Sequence, residues 1–252
     1  MIFLLISKQI KFRGIIMTSD LAIISDIHAN LSALRAVLSD ISTRGIHQII
    51  CLGDLVGYYT HPIEVIHLIL AKCSVVLKGN NDHIAALGTI PEYYRDDSTK
   101  PLDWTNSTLT LRERRILHDL PTVHYMKQFG IQKKNLMFIH GGPEYPYDQY
   151  IFPEDKDELE TTFEFMELVN VDVLFLGHTH VPFTEESNGR KIVNPGSVGQ
   201  PRDGDSRAAY LIYDHTNGIN FVRVDYDPSS TINGIKQHNF PLNLAERLLI
   251  GK

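Results

Sequence analysis

The 252-residue chain has two cysteines, one tryptophan, no long apolar run and no block of basic residues. Cys51 and Cys73 are too few for a disulfide framework, and they lack the paired spacing of a thiolate metal site or redox motif. Cys51 closes the apolar run Ile49-Ile50-Cys51-Leu52, so it reads as a buried free thiol, and the chain is expected in a reducing cytoplasm. No stretch approaches the roughly 20 apolar residues that a membrane-spanning helix needs. The mostly apolar Ile2 to Ile6 is followed by Lys8, Lys11 and Arg13, the reverse of the order in a secretory signal. A formal net charge of -6 argues against a sequence-independent grip on nucleic-acid backbone. There is also no repeat, low-complexity tract or Pro/Gly/Ser-rich linker to divide the chain.

What is present begins at Leu21. Residues 1–20 read as an N-terminal extension outside the native pattern, with Met17 expected as the natural start, and 21–252 as a single domain of ordinary globular composition. Leu21 to Ile24 is a short apolar run suited to a buried strand. Apolar residues at helical spacing follow from Asn30 to Leu38, with Gly45 as the stop. The unit then repeats: Ile49 to Leu52 as a strand, Pro62 to Ala71 as a helix, Ser74 to Leu77 as a strand. This is the βαβ signature of a parallel sheet covered by helices. A polar, mostly helical or irregular region runs from Asp82 to Leu120 and holds Trp104. Further on come a strand at Leu136 to Ile139, a helix from Asp155 to Val169 and a strand at Val171 to Leu176. Two alternating runs, Ala208 to Tyr213 and Ile219 to Tyr226, read as a hairpin turning at Asn217-Gly218. The expected fold is α/β, with two packed sheets and helices outside.

Five of these apolar strands each end in a short cluster of Asp, Asn or His, most beside a glycine. In open parallel sheets the carboxyl ends of the strands converge on one crevice, so the clusters are expected to form one site. Asp26 and His28, two residues apart, can reach one ion, and His178 and His180 repeat that spacing. Asp54 can face a second ion with its other oxygen, and Asn80 and His140 complete the set. Imidazole mixed with oxygen donors suits two divalent transition-metal ions, Mn, Fe, Zn or Ni, rather than Ca. Two such ions about 3.5–4 Å apart could hold both sides of a phosphoryl group, with a hydroxide between them as nucleophile, so no serine or cysteine nucleophile is required.

Asp26-x-His28, Gly53-Asp54, Gly79-Asn80, His140-Gly141 and Gly177-His178-Thr179-His180 occur in the order found in calcineurin-like metallophosphoesterases, which the chain therefore resembles. Asn194-Pro-Gly-Ser197 is similar to the small bacterial and archaeal phosphodiesterase branch. The resemblance implies a four-layer αββα sandwich of two mixed sheets flanked by helices. It also implies one metal on Asp26, His28 and His180, another on Asn80, His140 and His178, and Asp54 shared. The expected activity is hydrolysis of a small phosphorylated substrate by a phosphodiesterase or phosphatase, a phosphodiester or nucleotide being favoured. The alternative is a non-catalytic metal-binding scaffold or ligand-binding protein with the same fold.

One departure stands out. The family pattern continues Gly-Asn-His, with the histidine as proton donor to the leaving oxygen. Here the sequence is Gly79-Asn80-Asn81-Asp82-His83. Asn81 can donate a hydrogen bond to developing charge but cannot supply a proton. Either His83 or bulk water supplies it, or the leaving group needs none. Arg202 and Arg207, in the polar segment after Ser197, are candidate phosphate clamps through their planar forks. Tyr58-Tyr59 is a candidate base-stacking pair, set against simple packing.

Overall fold

The computed structural model describes residues 20–92, 94, 99–216 and 218–252, so Met17 and the extension before residue 20 lie outside it. In chain order the elements are β1 (Leu21–Ile24), α1 (Leu31–Thr43), β2 (Gln48–Cys51), α2 (Pro62–Lys72), β3 (Val75–Val76) and α3 (Asn80–Leu87). Next are α4 (Thr99–Thr108), α5 (Leu111–Asp119), β4 (Val123–Phe129), β5 (Lys134–Ile139), α6 (Lys156–Leu168) and β6 (Val173–Phe175). The chain closes with β7 (Phe183–Ser187), β8 (Arg190–Asn194), β9 (Ala208–Tyr213), β10 (Ile219–Val224), α7 (Ser229–Gln237) and α8 (Asn243–Ile250).

Two mixed five-stranded sheets result, ordered β10-β9-β1-β2-β3 and β4-β5-β6-β8-β7. In the first, β1, β2 and β3 are parallel, with Ile23 opposite Ile50 and Cys51 opposite Val76. In the second, β5, β6 and β8 are parallel, with Met137 opposite Leu174. The apolar runs are continuous because both faces of these strands are buried. Leu21 and Ile23 of β1 meet Leu136 and Phe138 of β5, Phe175 of β6 and Tyr213 of β9 in the core between the sheets. Phe138 and Phe175 stack there with centroids 5.0 Å apart. Ala22 and Ile24, on the opposite face of β1, pack under Leu34, Val37 and Ile41 of α1 and Val65, Ile66 and Ile69 of α2. Met137 and Ile139 face Leu159 and Met166 of α6 on the other outer side. Helix, sheet, sheet, helix is the expected four-layer sandwich.

Local chemistry sets the element ends. Asn30 caps α1 by accepting from Ala33 N, and Gly45 (φ 71°) follows its last turn. Cys51 is buried on β2, and both cysteines are free thiols, as expected. Tyr58 and Tyr59 are both buried, in a cluster with α7 and α8, so they pack rather than offer open stacking faces. Within the polar middle region the described residues form α3, α4 and α5. The second strand of the last hairpin ends at Val224, two residues short of the expected Tyr226, and Asn217 of its turn lies outside the described residues. The sequence reading missed β4, β7, β8, α7 and α8. For β7 and β8 a signal exists: Asn188-Gly189 joins them with both residues at positive φ (50° and 74°), the arrangement of a two-residue hairpin turn.

Candidate metal centre

The carboxyl ends of β1, β2 and β3 from one sheet and of β5 and β6 from the other carry the clustered residues to one place. Backbone pairing continues past the strands. Asp26 N donates to Gly53 O at 3.0 Å and His28 N to Asp54 O at 3.0 Å, so the loops after β1 and β2 are zipped together. Gly177 N donates to His140 O at 2.8 Å, joining the loops after β5 and β6. His178 N donates to Asp26 Oδ2 at 3.2 Å and links one sheet to the other. Two glycines are required by close approach: a Cβ on Gly79 would strike the Asp54 side chain and backbone, and one on Gly177 would strike Ser25 and Asp26.

Asp26, His28, Asp54, His178 and His180 all adopt left-handed backbone (φ between 51° and 68°). For residues with a Cβ this conformation costs on the order of 1–3 kcal/mol each, and it persists where the surroundings over-determine it for a purpose. The seven sequence-derived ligand residues are brought together in the interior, none more than 6% exposed. Six of them form two groups, Asp26-His28-His180 and Asp54-His140-His178, the ligand atoms of each lying within 4.8 Å of one another. Asp54 Oδ2 reaches into both, 3.7 Å from His28 Nε2 and 3.6 Å from His140 Nε2. Asp26 Oδ1 lies 3.3 Å from His180 Nε2 and 3.8 Å from His140 Nε2. Asn80 Nδ2 donates to Tyr94 Oη at 2.6 Å, which leaves Asn80 Oδ1 buried with no hydrogen-bond partner.

The hydrogen bonds test whether a cation fits. His28 Nδ1 faces the carbonyl of Val56 at 3.1 Å, and His180 Nδ1 faces that of Gln200 at 2.6 Å. A carbonyl only accepts, so both Nδ1 atoms carry the proton and both Nε2 atoms present lone pairs. Those two Nε2 atoms face each other at 3.0 Å, an arrangement that two acceptors tolerate only with a cation between or beside them. Asp26 Oδ1, His140 Nε2 and His178 Nε2 are likewise buried without hydrogen-bond partners. Such a set of orphaned donors to metal fits divalent transition ions.

The electrostatics agree. Burial is the largest influence holding His28, His140, His178 and His180 below the ordinary imidazole range, which favours the neutral form that ligates a metal. Asp26 is also pushed upward by burial, but the imidazoles of His180, His140 and His28 outweigh this and hold it low. Burial and the neighbouring Asp26 push Asp54 well above the carboxylate range. Asp82 is pushed up to about 7 by burial and then by Asp54, although Leu55 N and Gly79 N donate to it at 2.9 and 3.0 Å. Carboxylates crowded this closely are held ionised only by nearby positive charge, which bound cations would supply.

The remaining predicted residues have distinct placements. Asn81 N donates to Asp54 Oδ1 at 2.9 Å and Asn81 Nδ2 to Asp54 Oδ2 at 2.6 Å, so both donors steady the ligand carboxylate. His83, on α3, is half-buried with its ring 4.8 Å from that of Tyr147. Arg202 lies beside the first group, its backbone N donating to His180 O at 3.3 Å. Arg207 is 46% exposed, and Asp205 takes up its guanidinium through both carboxylate oxygens.

Several supporting residues escaped the sequence reading: Tyr94, Asp82, Gln200, the carbonyl of Val56 and Tyr150, whose ring stacks on His178 at 3.8 Å. The Asn194-Pro-Gly-Ser197 motif also gains a physical role. Asn194 Nδ2 donates to Gly177 O at 2.8 Å, and Ser197 Oγ donates to Asp26 O at 2.7 Å.

Comparison with known proteins places this arrangement in a wider group. Residues 20–218 match the family model of the calcineurin-like phosphoesterase superfamily domain. An uncharacterized protein of Methanocaldococcus jannaschii is 35% identical over 251 residues, spanning 93% of this chain and 99% of that protein. The crystal structure of a metallophosphoesterase from Sphaerobacter thermophilus is similar with a TM-score of 0.78 at 31% identity, covering 93% of this chain and 99% of that one. A hypothetical protein from Pyrococcus horikoshii shares the fold with a TM-score of 0.81 at 24% identity and the same coverage.

Proposed function

The chain belongs to the calcineurin-like phosphoesterase superfamily, and from that premise we propose that it hydrolyses a phosphodiester or nucleotide-type substrate at a dinuclear centre. The observation that carries this reading is the pair of imidazole lone pairs, His28 Nε2 and His180 Nε2, facing at 3.0 Å beside Asp26 and Asp54. Asp26, His28 and His180 would hold one ion, Asn80, His140 and His178 the other, and Asp54 would bridge. Mn, Fe, Zn and Ni all suit this donor set. When bound, the ions would supply Lewis acidity, offsetting phosphate charge and making water nucleophilic near neutral pH.

The chain's own residues do the rest. Val56 and Gln200 fix the tautomers and ring orientations of His28 and His180, Tyr94 turns the Asn80 amide oxygen free, and Asn81 steadies Asp54. Arg202 is the candidate clamp for negative charge on the substrate. Arg207, tied to Asp205, is the weaker of the two candidate clamps. Proton delivery to the leaving oxygen falls to His83 or to water, since Asn81 has no proton to give. Residues 21–252 act as one domain. Among the described residues no helix is long and apolar enough to cross a membrane, and the two free thiols accord with a reducing compartment such as the cytoplasm.

The test is metal-supplemented turnover of bis(p-nitrophenyl) phosphate, p-nitrophenyl phosphate and a dinucleotide panel, with Asp54→Ala as control. Turnover that disappears in the variant supports hydrolysis at this centre. Turnover that survives Asp54→Ala, or none on any substrate with metal bound, leaves a non-catalytic binding protein as the better description.

A further inference from the structure

Arg202 forms no salt bridge among the described residues, and the nearest anionic influence on it is that of Asp26 in the metal centre. Its part-buried guanidinium donates through Nη2 to Gln200 Oε1 at 2.8 Å and to Tyr58 Oη at 3.2 Å, both neutral groups. Arg44, Arg207 and Arg223 each pair with an aspartate. Among the described residues Arg202 has no carboxylate oxygen within 4.0 Å. A guanidinium held only by neutral acceptors keeps charge and donors free for an anionic ligand to engage.

The position of that charge is tightly held. Gln200 accepts from His180 Nδ1 with its carbonyl and from Arg202 with its side chain, and its Nε2 donates to Tyr59 Oη at 3.2 Å. Tyr58 stands edge-on to His28, centroids 4.8 Å apart, and the guanidinium carbon lies 5.8 Å from the Tyr58 ring centre. Tyr58 itself is in left-handed backbone, φ 57°, a conformation that a bulky residue adopts only where its surroundings impose it. One residue on each side therefore ties Arg202 to the two histidines whose lone pairs face each other. The proximity also shows in the imidazoles, where, after burial, the charge of Arg202 is among the influences that depress His28, His178 and His180.

Resting on the hydrolytic reading above, we infer that this site selects phosphoesters with a second negative charge at or next to the reacting phosphorus, and that Arg202 reads it. A simple diester carries one charge, which the metal groups engage, and the guanidinium stays without an ionic partner. A terminal phosphate carries close to two charges at pH 7, its second pKa being about 6. A phosphate adjacent to the reacting one, as in a nucleoside polyphosphate, supplies the same extra charge from a different atom. Either suits the planar, multi-donor guanidinium fork.

The experiment compares the Mn²⁺-loaded full chain with its R202M and R202K variants, metal content checked by atomic emission and folding by circular dichroism. Substrates are p-nitrophenyl phosphate, bis(p-nitrophenyl) phosphate and diadenosine tetraphosphate. Binding of inorganic phosphate and of dimethyl phosphate is measured by calorimetry. Losing a charge-assisted contact predicts a roughly 10- to 100-fold fall in kcat/KM for R202M, carried mainly by KM, on the doubly charged substrates only. A fall on p-nitrophenyl phosphate identifies a terminal phosphate, and a fall confined to the tetraphosphate identifies a neighbouring one. R202K should recover part of either loss. Inorganic phosphate should bind the parent chain more tightly than dimethyl phosphate does, and R202M should abolish the difference. Equal loss on all three substrates, or no loss on either p-nitrophenyl phosphate or the tetraphosphate, overturns the inference, and equal binding of the two anions by the parent chain overturns its terminal-phosphate form. Should no Asp54-dependent turnover exist at all, the hydrolytic reading fails, while the two binding isotherms still decide the role of Arg202.

Discussion

Stripping divalent ions from the chain with a chelator and then restoring Mn²⁺ should raise its unfolding temperature by about 5–11 °C for each group filled. The reasoning starts from the facing Nε2 atoms of His28 and His180 at 3.0 Å and from the unpartnered atoms of Asp26, Asn80, His140 and His178. All of these are acceptors that have left water without gaining a hydrogen bond, and a ligand that satisfies them binds the folded state alone. At free ion 100 times the dissociation constant, such a ligand stabilises by about 2.7 kcal/mol per site. For a chain of this size each kcal/mol moves the midpoint by about 2–4 °C, which gives the stated range. Differential scanning calorimetry with Mn²⁺ titrated from below to well above saturation measures the shift, and Mg²⁺, which favours an all-oxygen shell, serves as the contrast. A His28→Ala, Asp26→Ala double variant should lose the part due to the first group. A midpoint indifferent to Mn²⁺, or a shift that the double variant reproduces in full, would refute the reasoning.

Three other perturbations test separate parts of the site and fold. Tyr94→Phe removes the acceptor that turns the Asn80 amide and should weaken one of two metal-binding steps by about 10- to 100-fold in calorimetry; two unchanged steps would show that Tyr94 does not orient the ligand. Asn81→His should raise turnover of alkyl phosphoesters by up to about 10²–10⁴-fold while moving p-nitrophenyl esters little, and a parallel change in both would mean that proton delivery does not limit the chain. Phe175→Ala opens the core between the sheets, where Phe175 is fully buried against Phe138 and Tyr213; urea denaturation should show about 3–5 kcal/mol of lost stability, and a loss below 1 kcal/mol would contradict the packing.

The parts of this molecule that could be read from sequence are those governed by local pattern. Leu21–Ile24 and Val173–Phe175 are continuous apolar runs because both faces of each strand are covered, and each gives way within two residues to a polar cluster, the second beside Gly177. That pattern places Asp26, His28, His178 and His180 at strand ends, and parallel-sheet geometry brings the ends together. The hairpin at Asn188-Gly189 obeys the same kind of local rule, and its turn dipeptide was the available clue. What the sequence could not show depends on contacts between loops distant along the chain. Gln200 meets His180 across 20 positions, Val56 meets His28 across 28, and Tyr94 reaches Asn80 from beyond the end of α3. No periodicity marks such residues, since each is placed by where its loop closes. Asn81 is instructive: its type showed that it cannot give a proton, but only the fold shows both its donors turned toward Asp54.

Anomalous diffraction from crystals soaked in Mn²⁺ tests the dinuclear claim most directly. The account predicts two peaks in each chain, one at Asp26, His28 and His180 and the other at Asn80, His140 and His178, with Asp54 in reach of both. The His28 and His180 rings should each direct Nε2 at the first peak. A saturated crystal with no peak among these residues, or with a single ion held elsewhere, would contradict it.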